Sequence, residues 1–559
     1  MKKYIGLSII ALSMGLASCN DYLDKLPDNR AALNTEEKII KFIGSAYPDN
    51  DYIMVTEMLS DNVDDRGPVS TYSDRFVEQV YAWQDVTESN NESPQNYWDA
   101  SYQAIITANQ AIAAIDEMGA NTTKLRQAKA EALLCRAYNH FMLANVFCKH
   151  YNEATAGTDL GIPYMTALEE QLNLHHERGT VAEVYENIDK DIQEALPMIG
   201  DDIFSVPKFH FNQRAAYGFA TRFYLFYGKW EKAIQYANQC LGGNPQTMLR
   251  DWSTVATLTR DFDVHSNHFI STSLNCNLLL MTAYSNLGLV FGPYTTWKRF
   301  AHGPSVAATE TCNANNIWGG PTAFYDQPKN YSGSNRAYVI WYKLPYLFEY
   351  TDPVAQVGYR RTIYPALTTD EVLLSRAEAL IMLKRYDEAL RDLNIWMHNI
   401  TKSSLQLTVE NIKEFYNSVE YSYDVVDDNG NVTGEDGTIS TIKKHLHPAF
   451  AIDAEGSDQE CMLQCVLGFR RIETLQLGLR WFDVKRYGIK IPRRQLNADG
   501  NPEKVLDWLT LDDERRAVQI PIDVVDAGIE PNPRLTTNTS SEIEAIKDNQ
   551  SLIENYYVK

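Results

Sequence analysis

One spacing of aromatic and small residues occurs twice in this chain, at a constant offset of 156 residues. The two copies read Leu225-x-x-Gly228-x-Trp230-x-x-Ala233 and Ile381-x-x-Lys384-x-Tyr386-x-x-Ala389. In each copy we expect two helices joined by a tight turn, with the aromatic ring packing the turn and the small residue letting the helices approach closely. Such units bury their apolar faces only against neighbouring helices, so the chain is expected to be built from paired helices.

Other segments also show helical periodicity. Apolar residues recur at three- and four-residue steps over 97–118 and 122–151, and the capping box Thr180-Val181-Ala182-Glu183 opens a third helix that runs to about 197. The repeated units have the pattern of tetratricopeptide repeats, although their wide separation indicates an interrupted array. The predicted fold class is therefore mainly α, a tetratricopeptide-repeat-like helical scaffold with long irregular loop regions.

Two regions lack helical periodicity. Residues 244–369 are rich in Asn, Gly, Pro, Thr and aromatic residues, and residues 405–464 form a second irregular stretch with a hairpin turn expected at Asn429-Gly430. Irregular stretches of this length within a compact protein are usually functional. We therefore expect a functional role for the longer stretch, 244–369.

The overall charge restricts the class of partner. The chain has 559 residues, 44% of them hydrophobic, and a formal net charge of −22. It can bury a large core, but a polyanion is repelled by nucleic acid, so a nucleic-acid partner is excluded.

The first residues resemble a bacterial lipoprotein signal. Met1-Lys2-Lys3 precedes an apolar run too short to span a bilayer, and the run ends in Leu16-Ala17-Ser18-Cys19. We expect 1–18 to be a lipoprotein signal peptide, Cys19 to be lipidated, and 19–34 to be the lipidated N-terminus and tether. The alternative is an ordinary secretory signal with a chance cysteine. The other seven cysteines are scattered without a CxxC pair, and most are interpreted as small buried hydrophobic residues.

Several motifs further along the chain resemble the SusD/RagB family of outer-membrane lipoproteins. They are Arg470-Arg471-Ile472-Glu473, the run Gly478-Leu479-Arg480-Trp481-Phe482-Asp483-Val484-Lys485-Arg486-Tyr487-Gly488, Arg516 to Pro521, Asn532-Pro533, Asp370 to Ala379, and Trp98-x-x-x-Tyr102-x-x-Ile105-x-x-x-Asn109. The lipobox-like start and Asp21-Tyr22-Leu23-Asp24 also fit. The resemblance extends over nearly the whole chain.

This resemblance implies a fold and a role. Family members cap a SusC/RagA-like TonB-dependent β-barrel transporter on the outer face of the outer membrane. They deliver captured oligosaccharides to it or, in the RagB branch, peptides. The implied division is an N-terminal SusD-like helical region, 35–260, and a C-terminal SusD/RagB-like region with the last repeat, 261–559. The resemblance implies no enzyme activity and no cofactor.

Charged clusters offer alternative readings. Arg480, Asp483 and Arg486 stand at three-residue steps, so we expect Asp483 to pair with both arginines in a structural network. Acids at 61–65 and 511–514 could hold a carboxylate pair for glycoside cleavage, and paired histidines at 175–176, 265–268 and 445–447 could bind metal. Neither set shows a familiar catalytic or ligand spacing, so we expect no catalytic residues and no metal site.

A glycan site needs flat rings for sugar C–H faces and polar groups for hydroxyls. Two loop regions combine these features, and the candidate ligand-binding residues there are Tyr81, Trp83 and Asn90 in one region and Tyr294, Trp297, Trp318 and Tyr325 in the other. The family's starch-binding pair of tryptophans two positions apart is missing, because Asp85 follows Trp83. An oligosaccharide other than starch is therefore favoured, with a peptide as the alternative.

Overall fold

The computed structural model describes residues 33–67, 70, 73–119, 121–168, 176–294, 298–331 and 338–534. Helix accounts for 44% of the structure and strand for 13%, which confirms the mainly α fold class. The signal-peptide prediction, Cys19 and Trp297 lie outside the described residues. The helices are α1 Glu36–Ile43, α2 Ile53–Leu59, α3 Arg75–Tyr81, α4 Pro94–Glu117, α5 Thr123–Phe147, α6 Val181–Ala195, α7 Gln213–Phe226, α8 Trp230–Leu241, α9 Trp252–Val255, α10 Phe262–Phe269, α11 Leu287–Val290, α12 Pro304–Thr309, α13 Thr369–Met382, α14 Tyr386–Ile400, α15 Val409–Asn417, α16 Asp458–Glu473, α17 Arg480–Arg486 and α18 Ile522–Asp526.

The two predicted repeats form helix pairs. Helix α7 packs against α8, and α13 against both α14 and α8. Ala233 and Ala389 are fully buried at the equivalent positions of the two pairs, as their small size requires. The backbone between the helices of each pair turns through the left-handed region at Gly228 (φ 71°) and Lys384 (φ 57°). The capping box at Thr180 is also present.

The region predicted to be irregular contains much of the β-structure. Its strands are β2 Asn277–Tyr284, β3 Phe300–Ala301, β4 Lys329–Tyr331, β5 Tyr338–Ile340, β6 Leu347–Asp352 and β7 Val357–Thr368, with the short strand β1 Asp64–Asp65 before them. Strands β2, β7 and β6 form an antiparallel sheet in that order. The interpretation of 244–369 as mainly loop was therefore wrong. The first five residues of β2 are all buried, so this strand lacks the alternation that would reveal it.

Four more strands complete the sheets. They are β8 Asp424–Val426, β9 Val432–Glu435, β10 Ile491–Leu496 and β11 Pro502–Leu509. Strands β8 and β9 form the hairpin expected at Asn429-Gly430, with Gly430 at φ 80°. The order β11-β10-β1-β3 brings the N-terminal acids Asp64 and Asp65 beside the C-terminal strand β10.

The main hydrophobic core extends from Ile39 to Ile529 and so includes residues of both predicted regions. A small second cluster contains Phe262, Ala301, Tyr338, Ile340 and Tyr342. The division at 260/261 stays a prediction. The seven described cysteines are all buried and free, which confirms their interpretation as small core residues. None of the described helices has the length and apolar character needed to cross a bilayer.

Helix α17 lies in the family-like run 478–488, and we call it the signature helix. Its ion pairs differ in part from the expectation. Asp483 pairs with Arg486 at 3.1 Å, as predicted, but its second partner is Arg470 on α16, also at 3.1 Å. Arg480 instead binds Asp61 through two hydrogen bonds of 2.8 and 2.9 Å. The prediction for Arg480 was wrong because spacing along one helix cannot reveal a partner that the fold brings from another segment.

Candidate functional site

The first predicted region places its aromatic residues in the interior. Tyr81 and Trp83 are each 3% exposed. The Tyr81 hydroxyl donates to the Arg494 carbonyl, and the Trp83 indole N–H donates to the Leu59 carbonyl at 3.0 Å. The Arg493 guanidinium lies over both rings, 4.2 Å from the Tyr81 centroid and 3.9 Å from the Trp83 centroid. Because packing occupies these rings, the structure does not support them as stacking surfaces for a glycan.

A cleft of about 170 Å³ borders Trp83. Its walls combine apolar residues such as Val55 and Val86 with polar residues such as Gln84 and Arg515. Asn90, the third candidate of this region, is exposed, but its side-chain oxygen accepts from the Glu92 backbone N–H at 2.9 Å. Asn90 therefore stabilises the turn before α4, with its amide nitrogen still open to solvent.

The second region provides one exposed candidate ring. Tyr294 is 47% exposed, and its ring lies edge-on to Phe262 at 5.3 Å and tilted against Tyr346 at 5.2 Å between centroids. Gly292 makes this approach possible, because a side chain there would stand only 3.1 Å from the Phe262 ring. The fold thus supports the Tyr294 ring from behind and leaves part of its surface in solvent.

Polar groups lie beside this ring. The Tyr294 hydroxyl donates to the Asp263 carboxylate at 3.3 Å, and Asp263 is exposed on α10. Partial burial and the carboxylates of Asp263 and Asp261 raise the pKa of Tyr294 to about 12, so its hydroxyl stays protonated. Asn267 is also exposed and follows Asp263 by four residues, so it projects from the same helix face. We call Tyr294, Tyr346, Asp263 and Asn267 the Tyr294 surface.

The remaining candidates lie elsewhere. Trp318 is 5% exposed and packs against Phe324, Trp396 and Phe469 in the core, so its ring has no free face for a ligand. Tyr325 is half-buried beside the end of α14, where its backbone N–H donates to the Ile400 carbonyl. Among the described residues, neither ring contacts Tyr294.

Sequence reasoning missed the partners of Tyr294. Tyr346 lies 52 residues later, and Asp263 and Asn267 lie on a short helix that was not predicted. The spacing of Asp263 and Asn267, one helical turn apart, was the sequence signal that could have indicated two polar groups on one helix face.

The acids at 61–65 have structural partners. Asp61 is bound by Arg471 and Arg480, Asp64 by Arg494, and Asp65 by Arg299. Burial alone would raise the pKa of the Asp61 carboxyl, but the two guanidinium groups outweigh burial and hold that pKa well below its usual range. The two arginines thus favour the ionised form of Asp61, which suits a structural role better than proton donation. The part of the chain that the structure describes contains no group of three or more potential metal ligands.

Comparison with known proteins shows what the N-terminal sequence and the fold are similar to. A model of SusD-like proteins, described as "Starch-binding associating with outer membrane", matches residues 21–225. A SusD superfamily protein from Bacteroides thetaiotaomicron superposes with a TM-score of 0.58 at 19% identity, over 90% of this chain and 100% of that one. A putative sugar binding protein from Bacteroides vulgatus gives 0.59 at 17% identity, over 89% and 97%.

A SusD-like carbohydrate binding protein from Bacteroides vulgatus likewise gives a TM-score of 0.59 at 14% identity, over 88% of this chain and 95% of that one. No curated protein matches the sequence. At these identities the solved structures establish the fold, and the family model adds the sequence relationship over 21–225. Residues 21–225 therefore match the SusD-like family model, and the fold over about nine-tenths of the chain is similar to that of SusD superfamily proteins, as the resemblance of its motifs predicted.

Proposed function

We propose that this chain captures an oligosaccharide at the Tyr294 surface and passes it to a TonB-dependent β-barrel transporter in the outer membrane. The observation that carries the proposal is the half-exposed Tyr294 ring with the Asp263 carboxylate at its hydroxyl. The family description and the solved relatives named for sugar binding support the ligand class.

The chemistry of the surface suits a sugar. A pyranose presents an apolar C–H face that can stack on the Tyr294 ring, while its hydroxyls can donate to Asp263 and accept from the Asn267 amide. Stacking on one ring contributes on the order of 1 kcal/mol beyond the area it buries. Recognition of this kind involves neutral ligand groups, so binding should depend little on salt.

The proposal includes attachment to the membrane. Lipid chains on Cys19 would hold the protein stably at the surface, because each buried CH₂ contributes roughly 0.8 kcal/mol and two or more chains do not dissociate readily. This anchor would keep captured glycan close to the transporter. Binding and delivery require no chemical change in the ligand, which agrees with the structural role of the acids at 61–65.

The test compares two exposed tyrosines. We expect Tyr294→Ala to weaken binding of the preferred oligosaccharide from a glycan array roughly fivefold or more, because one stacking ring is lost. Tyr359→Ala is the matched control, since Tyr359 on β7 is 53% exposed and its ring packs against Tyr284, which is not part of the Tyr294 surface. Isothermal titration calorimetry at two ionic strengths measures both variants, and circular dichroism checks their folding.

Three outcomes would contradict the proposal. Equal loss of affinity in both variants would show that the Tyr294 surface is not the binding site. Sustained cleavage of the glycan would indicate an enzyme. Tight, salt-sensitive binding of peptides without glycan hits would favour the RagB-like alternative. On intact cells, Cys19→Ala should move the protein and its captured glycan from the membrane fraction to the medium. Retention in the membrane would refute the lipid anchor.

A further inference from the structure

An aromatic groove, separate from the Tyr294 surface, lies at the turn of the first repeat. It encloses about 460 Å³, which is within the range of small-ligand sites. Three segments form its walls: residues 151–154 after α5, residues 226–230 between α7 and α8, and residues 449–451. None of these segments contributes to the Tyr294 surface.

Four partly exposed rings line the groove in two perpendicular pairs. Tyr151 meets Tyr227 at 4.8 Å and 89°, and Trp230 meets Phe450 at 5.4 Å and 75°. Gly228 stands between the pairs with its backbone in the left-handed region, and a side chain there would lie 3.9 Å from the Trp230 ring. The glycine therefore leaves open space beside the indole.

Polar groups surround these rings. They are the Trp230 indole N–H, the hydroxyls of Tyr151 and Tyr227, the Asn152 amide nitrogen and the Glu153 carboxylate, none of which has a hydrogen-bond partner in the described ranges. The Lys229 ammonium lies 5.1 Å from the Tyr227 ring centroid. Burial, together with the neighbouring Tyr151, raises the pKa of Tyr227 to about 12, so its hydroxyl remains a donor at neutral pH.

We propose that this groove is a second saccharide-binding subsite, in which sugar rings stack on Trp230 and Phe450 and their hydroxyls bind the surrounding donors and acceptors. The ligand class rests on the proposed function. Perpendicular ring pairs offer flat faces in two directions, and the donors are distributed around them as a polyhydroxylated ligand requires.

A neutral saccharide fits this groove better than a peptide. Glu153 and Lys229 contribute one charge of each sign, so the rim does not select a strongly charged ligand. The three wall segments contain helix ends and loops and no strand, so a peptide would find no sheet edge to extend. A glycan bound at both sites would gain affinity from its second attachment if its length spans them.

The test reports on the groove directly. Protein labelled with 5-fluorotryptophan is titrated with maltohexaose, cellohexaose and xylohexaose, and the ¹⁹F NMR signal of Trp230 is assigned with Trp230→Phe. We expect at least one saccharide to shift this signal in a saturable manner. Phe450→Ala should weaken the apparent affinity at Trp230 roughly fivefold or more, because one ring is removed, while Tyr294→Ala should leave it within about twofold.

A second variant leaves Phe450 in place, because Phe450→Ala could lower affinity by disturbing the local packing. Ala451 is exposed at the groove, so Ala451→Trp should fill the space without disturbing the core and should abolish the saccharide-induced shift. A shift unchanged by both variants would overturn the subsite, and so would one produced only by peptides. If calorimetry detects saccharide binding that Tyr294→Ala removes but Trp230 never responds, the subsite fails and the proposed function stands. If Trp230 responds and Tyr294→Ala has no effect on any binding, the subsite stands and the Tyr294 surface fails.

Discussion

The two repeats place opposite charges at one equivalent buried position. Arg222 in α7 corresponds to Glu378 in α13 at the offset of 156, and both side chains are at most 2% exposed. Arg222 pairs with Glu371 of the second repeat, whereas Glu378 pairs with Arg486 of the signature helix α17. The equivalent position is therefore buried in both copies. Its charge differs because Arg222 faces an acid and Glu378 faces an arginine.

The turns of the two repeats differ in a related way. The left-handed position is Gly228 in the first repeat and Lys384 in the second. The Lys384 ammonium binds the Asp453 carboxylate at 2.7 Å, which ties the second turn to the loop before α16. Glycine at this position of the first turn has no side chain to form such an ion pair, and the first turn borders the open aromatic groove. One backbone geometry thus serves attachment in one repeat and leaves an accessible surface in the other.

Removing the charge that joins the repeats should have the largest effect. Arg222→Met leaves the Glu371 carboxylate buried without its cation, and we expect the free energy of unfolding to fall by about 3 kcal/mol or more. Urea denaturation measures this change. Arg222→Met combined with Glu371→Leu removes both charges and should recover most of the loss. A single variant as stable as the wild type would show that the pair does not couple the repeats.

The charge at the equivalent position in the second repeat should matter less when its shape is kept. Glu378→Gln weakens the contacts to Arg486 and Tyr487, but both arginines near it retain Asp483. We expect a loss of about 2 kcal/mol in the free energy of unfolding, as for hydrogen bonds to charged groups. The control Glu388→Gln removes a solvent-exposed partner of Arg385 and should change stability by at most about 1 kcal/mol. Equal effects would mean that burial of the pair is unimportant.

Exchanging the turn residues should give the smallest effect. Gly228→Lys places a side chain in a left-handed backbone and should cost about 1 kcal/mol. Lys384→Gly relieves that cost but loses an exposed ion pair, so its net effect should be within about 0.5 kcal/mol. Thermal unfolding of both variants, compared with the wild type, provides the measurement. A larger loss in Lys384→Gly than in Gly228→Lys would show that the tie to Asp453 dominates the turn.

Local patterns predicted much of the fold. The repeat helices, the capping box at Thr180 and the turn at Asn429-Gly430 depend on residues close in sequence, so their signals are visible in the chain itself. Strand β2 escaped prediction because its buried run carries neither a helical nor an alternating period. The partner of Arg480 escaped because Asp61 lies 419 residues away.

The candidate site was less predictable. Aromatic composition drew attention to Trp83, Trp318 and Tyr294 alike, but composition does not distinguish a core ring from a surface ring. The distinction depends on neighbours that only the fold provides: Arg493 covers Trp83, Phe469 packs against Trp318, and Gly292 lets Tyr294 rest on Phe262 while staying exposed.

The long separation between Asp61 and its arginines also bears on how the chain reaches its native state. Arg471 and Arg480 follow Asp61 by 410 and 419 residues, so the N-terminal acid cannot find its partners until nearly the whole polypeptide has been made. Contacts of such high sequence separation form slowly, because a very long loop must close before they stabilise anything. Strand β1 is likewise completed only by β10, near the C-terminus. Folding of this part is therefore a late step, which has to wait for the C-terminal segments that carry Arg471, Arg480 and β10.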